Sequence, residues 1–253
     1  MDNQTKWTEL LQQAVMEPGL ILRAYNAFHG YSLSNQVAAL IQCQQRQIEP
    51  GPLNTYPGWQ KLSRQVRKGE KAIWLCTPLT RKVKDDGGVD QTVITTFVWK
   101  PHWFVYGQTE GEPILTPQIP AWDKARALAA LGIQEIPFTA TDGNVQGYAQ
   151  KREIAVSPLA AIPHKTLLHE IAHVELGHTA ETSFTDSVLT PRSLREAEAE
   201  AAALLLCESL ELTGVEYARG YIQSWLGGNA IPEKSAQKIF GVADRILRAG
   251  REC

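Results

Sequence analysis

The stretch His169-Glu170-Ile171-Ala172-His173 restricts what this chain can become more than any other. Residues four apart on an α-helix share a face, so both imidazoles can address one ion only if the segment is helical. Glu170 then sits at the edge of that face, where a carboxylate can reach a water at the ion. The flanks agree with this: Pro163 suits a first helical turn and Gly177 a C-terminal cap. Leu167, Leu168, Ile171 and Ala172 provide apolar packing around the polar trio. The pattern is that of a zinc-metallopeptidase helix, with His169 and His173 as ligands and Glu170 as catalytic base.

A catalytic zinc takes three protein ligands and keeps one position open. No histidine follows His178, and positions 176 and 179 are Leu and Thr, so the spacing of the three-histidine class is absent. The third ligand must then be a carboxylate from a following helix. Arg195 to Cys207 is rich in Ala, Glu and Leu and reads as a strong helix. Glu196 and Glu200 share one of its faces, and Glu198 points nearly opposite. Glu196 is expected to be the ligand and Glu200 a partner orienting one histidine, with the reverse assignment open. Asp186 is a weaker candidate. His178 follows the cap glycine within reach of the site, a surface position being the alternative, and Glu175 is expected to face solvent. The short segment Tyr148–Val156 is read as one strand, ending at Ser157-Pro158, that could align a substrate backbone. Manganese or another divalent metal would also suit a His2Glu site.

The first half is different in character. Residues 1–100 hold 12 Lys/Arg against 8 Asp/Glu, a net of +4, while residues 116–253 hold 13 against 17, a net of −4. Residues 2–47 read as helical with breaks near Pro18-Gly19 and Gly30, Ser32 or Ser34 capping the last helix. Segments 71–76 and 93–99 read as strands around a hairpin tip at Asp85-Asp86-Gly87-Gly88, and 104–106 extend the sheet. Lys61, Arg64, Arg67, Lys68, Lys71, Arg81, Lys82 and Lys84 face one acid, Glu70, between Trp59 and Lys84; Trp59, Trp74, Trp99 and Trp103 lie around them. Cations that track phosphates beside aromatics that stack on bases are what single-strand binding requires. A solvated basic face with core tryptophans is the plainer alternative.

The prolines at 113, 117 and 120 suggest a linker over 113–121, separating a domain at 1–112 from one at 122–253. Trp122–Leu131 reads as a helix stopped by Gly132, and the chain beyond Lys165 as almost wholly helical, broken at Gly177, Gly214 and Gly227-Gly228. The expected class is α+β: an N-terminal α+β DNA-binding domain with a small antiparallel sheet, then a mainly helical, zincin-like domain with a short sheet. Four scattered cysteines without a C-x-x-C pair, no apolar run of about 18 residues and a polar opening Met1-Asp2-Asn3-Gln4 lead us to expect a cytoplasmic protein with no membrane partner.

Several short runs are familiar together: Tyr31-Ser-Leu-Ser-Asn35-Gln36, Trp59-Gln-Lys-Leu, Val66-Arg-Lys-Gly-Glu-Lys71 and Phe104-Val-Tyr-Gly-Gln-Thr-Glu-Gly111. With the zinc-type motif, Gly177-His178, Glu196, Glu200 and Tyr221-Ile-Gln-Ser-Trp-Leu226, the chain resembles ArdC-type antirestriction proteins of conjugative plasmids and other mobile elements. One departure is Glu175-Leu-Gly-His178, where the family usually has Trp-Thr-Gly-His. The resemblance implies single-stranded DNA binding by the first domain, in which Asn35 is one of the matched residues, a zincin-like metallopeptidase in the second, and protection of incoming DNA from host restriction. It also supports Glu196 as third ligand. A host restriction or regulatory protein would be the peptide substrate. The alternatives are a DNA-binding protein with a structural metal, and a regulatory peptidase that cleaves a repressor.

Overall fold

A computed structural model describes residues 6–84, 90–115, 118–179, 191–226 and 229–251. The expected hairpin tip at 85–88, Asp186 and the Gly227-Gly228 break lie outside the described residues. The fold of the described residues is α+β: three N-terminal helices, a three-stranded antiparallel sheet, a two-stranded antiparallel sheet, a second three-stranded sheet and a helical C-terminal part.

Helices α1 (Trp7–Met16), α2 (Leu20–Phe28) and α3 (Leu33–Arg46) break at Pro18-Gly19 and Gly30, as the composition suggests. Ser32 occupies the N-cap position of α3, though its hydroxyl makes no capping hydrogen bond. Next come β1 (Leu53–Thr55), α4 (Tyr56–Lys61), β2 (Arg64–Val66), β3 (Ile73–Lys84) and β4 (Asp90–Val105). The sheet order is β1-β4-β3, all antiparallel. That leaves β3 with an outer edge whose backbone groups need partners. Two amides from α3 serve it: Asn35 brackets Cys76 (2.9 and 2.8 Å) and Gln42 brackets Trp74 (2.9 and 2.9 Å). Strand β4 stops at Val105, one residue short of the expected extension. There the Gln108 side chain accepts from the Val105 N–H (3.0 Å) and turns the chain at Tyr106 towards β5 (Thr109–Gly111), which pairs with β2.

Helix α5 (Lys124–Leu131) is capped by Asp123, whose carboxylate accepts from the Arg126 N–H, and ends at Gly132. Strands β6 (Gln134–Glu135), β7 (Gly147–Gln150) and β8 (Glu153–Val156) form a sheet in the order β6-β8-β7. The segment expected to be one strand is therefore a hairpin. Lys151 takes a positive φ at its turn, and Arg152 anchors the turn by bonding the Gly132 carbonyl (3.1 Å) and the Glu175 carboxylate (2.8 Å). This also corrects the expectation for Glu175. Its side chain is 4% exposed, held between Arg152 and Arg245.

The remaining helices are α6 (Pro163–Glu175), α7 (Arg192–Ser209), α8 (Val215–Leu226) and α9 (Glu233–Ala249). Every residue from Ala197 to Ser209 is buried, so α7 is enclosed on all sides, by α6, α8, α9 and α2. One hydrophobic cluster runs from Leu10 through α3 to Leu247. Glu233 at the start of α9 caps α1, accepting from the N–H groups of Trp7 (2.7 Å) and Thr8 (3.1 Å). A buried ion pair joins the same bodies. Arg219 of α8 donates to Glu208 of α7 and to the Ala14 and Val15 carbonyls at the end of α1, while Glu208 accepts from the Ile21 N–H of α2. Among the described residues no helix is long and apolar enough to cross a membrane.

Removing one partner of a buried pair strands the other charge. Arg219→Met is therefore expected to destabilise the fold by about 3–5 kcal/mol, measured by denaturant unfolding. A loss below about 1 kcal/mol would show that water reaches Glu208.

Candidate metal centre and basic face

Helix α6 begins at Pro163, in its first turn, and ends where Gly177 takes φ +78°, a conformation that suits glycine. His169 and His173 project from its α7-facing side with their Nε2 atoms 3.0 Å apart. Glu196, in the first turns of α7, places Oε2 3.5 Å from each. Among the described residues, His169, His173 and Glu196 form the group able to hold a metal ion. The edges of a tetrahedron with bonds of about 2.1 Å are about 3.4 Å long. Separations of 3.0, 3.5 and 3.5 Å thus match a triangular face of such a site, and the donor set fits a divalent ion.

The ligand candidates are held from behind. Glu200 Oε2 lies 2.9 Å from His169 Nδ1, and Glu200 Oε1 pairs with Lys165 (2.5 Å). On the other side His173 Nδ1 meets His178 Nδ1 (2.9 Å), and His178 Nε2 meets Glu198 (2.9 Å). Glu198 does face away from the ion position, but the chain beyond Gly177 carries His178 round to it. Sequence reasoning passed over Lys165 and Glu198. The i,i+4 spacing of Lys165 to His169 was the available signal for the first; the second depends on tertiary placement alone.

Charge follows this arrangement. Burial disfavours an imidazolium at His169, but Glu196 and Glu200 outweigh it and raise its pKa to about 9. The two histidines hold Glu196 well below the usual carboxylate range. Burial raises Glu170, against the opposing pull of His169 and His173. Burial lowers His178, with Glu198 opposing. Burial opposes ionisation of Glu200 too, yet His169 and Lys165 bring its pKa down.

These residues line a cleft of about 640 Å³ walled by 144–149, α6 and the start of α7, with Arg192 and Arg195 on its rim. Strand β7 is the free edge of its sheet on this side. Gly147 is another residue that sequence reasoning missed. A Cβ there would come within 2.6 Å of Thr166 Cγ2, 3.0 Å of the Ala155 carbonyl and 3.1 Å of Glu170 Oε1. Only glycine lets the strand lie this close over Glu170.

The basic face is rearranged relative to expectation. Trp59 is 1% exposed, with its indole N–H bonded to the Phe104 carbonyl (2.8 Å), so it cannot serve as a base platform. Arg64 is 6% exposed; it bonds Thr109 Oγ1 (2.8 Å) and the Thr109, Gly111 and Glu112 carbonyls, and stacks on Tyr106. It braces β2 on β5 and is not free for phosphate. Asn35 is committed to Cys76, and Trp74 is packed against the core. Lys61, Arg67, Lys68 and Lys71 are exposed. Arg67 also bonds the Gly107 carbonyl and Glu70. Arg67 and Lys71 border a cavity of about 470 Å³ with Arg46, Glu49, Glu70 and Gln108. The exposed ring near Lys61 is Tyr56, not Trp59.

Groups behind a ligand typically contribute 10- to 100-fold to metal affinity. His178→Phe is expected to weaken divalent-ion binding by about that factor and Glu196→Gln by more, measured by calorimetry with circular dichroism as the folding control. An ion must also displace the proton that His169 holds up to about pH 9. Affinity should therefore fall as pH drops from about 9 to about 7, with proton release dependent on buffer; a flat profile would place the ion elsewhere.

Residues 3–106 match the family model for the N-terminal domain of anti-restriction factor ArdC. The fold is similar to the antirestriction ArdC protein of plasmid R388. Its metal-free crystal structure aligns at TM-score 0.55 and 21% identity, covering 96% of this chain and 94% of that one. Its Mn(II)-bound structure aligns at TM-score 0.55 and 19% identity, covering 96% and 97%. A comparison with curated protein sequences finds no match. Residues 3–106 thus resemble the ArdC N-terminal domain in sequence, and the chain is similar to the R388 protein in fold over nearly its whole length.

Proposed function

We propose that this chain is an antirestriction protein of a mobile element, binding single-stranded DNA through its basic face and carrying a metal-dependent peptidase centre of the His2Glu type. The observation behind the peptidase reading is the convergence of three ligand atoms at tetrahedral-edge spacing, beside a buried carboxylate that opens on a cleft with a free strand edge. Zinc is our choice of ion, because a four-coordinate His2Glu set suits it. The Mn(II) in the R388 protein's structure supports a divalent ion of either kind. Held by His169, His173 and Glu196, such an ion would act as a Lewis acid and make water acidic enough to be deprotonated near neutral pH.

The protein's own groups supply the rest. Glu170, its pKa raised by burial, accepts a proton from the attacking water and can return it to the leaving amine. Strand β7 offers its outer backbone groups to an extended peptide and fixes the scissile carbonyl over the ligands. Glu200 and His178 hold the two imidazoles in orientation, and Lys165 in turn holds Glu200. Among the described residues Cys43, Cys76 and Cys207 are free and buried, which supports a reducing, cytoplasmic setting.

Glu170→Gln keeps shape and leaves all three ligands. It should abolish hydrolysis of an unfolded protein substrate while metal binding stays within about twofold of the wild type. If antirestriction survives that change intact, the ion is structural. Replacing Lys61, Arg67, Lys68 and Lys71 by Gln should weaken single-strand binding and lower its log–log salt slope by roughly 0.7 for each phosphate that is no longer neutralised. An unchanged slope would move the DNA surface elsewhere.

A further inference from the structure

Arg192 and Arg195 stand one turn apart at the start of α7, and both line the cleft beside Glu196. Neither makes an ion pair among the described residues. Arg192 is exposed. Arg195 is half-buried: its Nε is enclosed without a hydrogen-bond partner, and its Nη1 reaches the His178 carbonyl only at 3.4 Å. The nearby carboxylates are occupied. Glu200 pairs with Lys165 and contacts His169, Glu196 faces the two histidines, and Glu198 is bonded to His178. A partly desolvated guanidinium with no anion is costly, and its planar fork is shaped for a carboxylate.

The opposite wall explains which anion. The outer edge of β7 presents backbone groups in the repeat of a strand, which an extended peptide can match and a phosphodiester chain cannot. Alternate side chains of a peptide laid on β7 point to opposite faces, so one set is directed across the cleft towards α7. We propose that the cleft selects peptides bearing an aspartate or glutamate close to the scissile bond, with Arg195 and Arg192 gripping that carboxylate. The proposal rests on the peptidase reading and deepens it.

The test uses the full-length, metal-loaded chain with Glu170→Gln to prevent turnover, and fluorescent ten-residue peptides that differ only in a central Glu, Gln or Lys. Anisotropy should show the Glu peptide bound about tenfold more tightly than the Gln peptide, and the Lys peptide more weakly than either. Arg192→Gln and Arg195→Gln should each erase most of that preference with metal content unchanged. The double change to Glu should reverse it in favour of Lys. Arg192 is exposed and the Glu/Gln comparison needs no arginine substitution, so a misfolded Arg195 variant leaves the test intact. Equal binding of the Glu and Gln peptides, or no binding, overturns the proposal. So does a single-stranded oligonucleotide whose binding depends on the two arginines, since they would then grip phosphate. Casein hydrolysis by the wild type but not by Glu170→Gln separates the two failures. With hydrolysis and no Glu preference, only the selectivity falls; with no hydrolysis, the peptidase reading falls too.

Discussion

The close packing of α6 against α7 is the constraint on which this structure depends. The histidines belong to one helix and the carboxylates Glu196, Glu198 and Glu200 to the other, so the centre exists only while the two axes stay near each other. Alanines at 197, 199 and 201–203, all fully buried, keep α7 slim enough for its neighbours to approach. Leu167, Leu168 and Ile171 on α6 and Leu204 to Leu206 on α7 belong to the same core cluster. Helix α7 is also the hub for α2, α8 and α9, so core stability and ligand geometry are one problem. A cavity in this core would be felt as a displaced Glu196.

That packing brings an unusual density of charge into a protected place. Glu196 rests against two imidazoles, and Glu196 and Glu200 make His169 hold a proton more firmly than a free histidine. Two chains of contacts lead outward, one through Glu200 to Lys165 and one through His178 to Glu198. They fix ring orientation from opposite sides, and both end on α6 or α7. Few degrees of freedom remain with which the centre could relax.

Much of this was legible in the sequence because it depends on helical periodicity. The four-residue spacing of His169 and His173, the flanking Pro163 and Gly177, and the shared face of Glu196 and Glu200 are local facts, and the structure brings those side chains together. What was not legible depends on tertiary contacts. Glu175 looks like a solvent-facing acid until Arg152 and Arg245 arrive from a turn and from another helix. Arg64 and Trp59 look like nucleic-acid contacts because they sit in a basic, aromatic run. Burial gives both internal hydrogen-bond partners and removes them from the surface. Asn35 is similar: an amide can read a base or finish a sheet edge, and here it finishes the edge of β3. The hairpin at Lys151-Arg152 was missed because its turn lacks Gly or Asn, and anchoring of Arg152 replaces that signal.

On the function proposed above, the two faces of the chain would divide the work. The cations that remain exposed after folding include Lys61, Arg67, Lys68 and Lys71; Arg67 and Lys71 border a cavity, and Arg67 also bonds the Gly107 carbonyl and Glu70. Such charges can follow a flexible phosphate chain at small cost in order. The metal centre has the opposite requirement, since its groups must not move. It is built on two helices and a strand that Gly147 allows to press against Glu170. A surface suited to loose electrostatic capture and a rigid cleft suited to one geometry are what a protein needs if it is to be carried on DNA and act on something else found there.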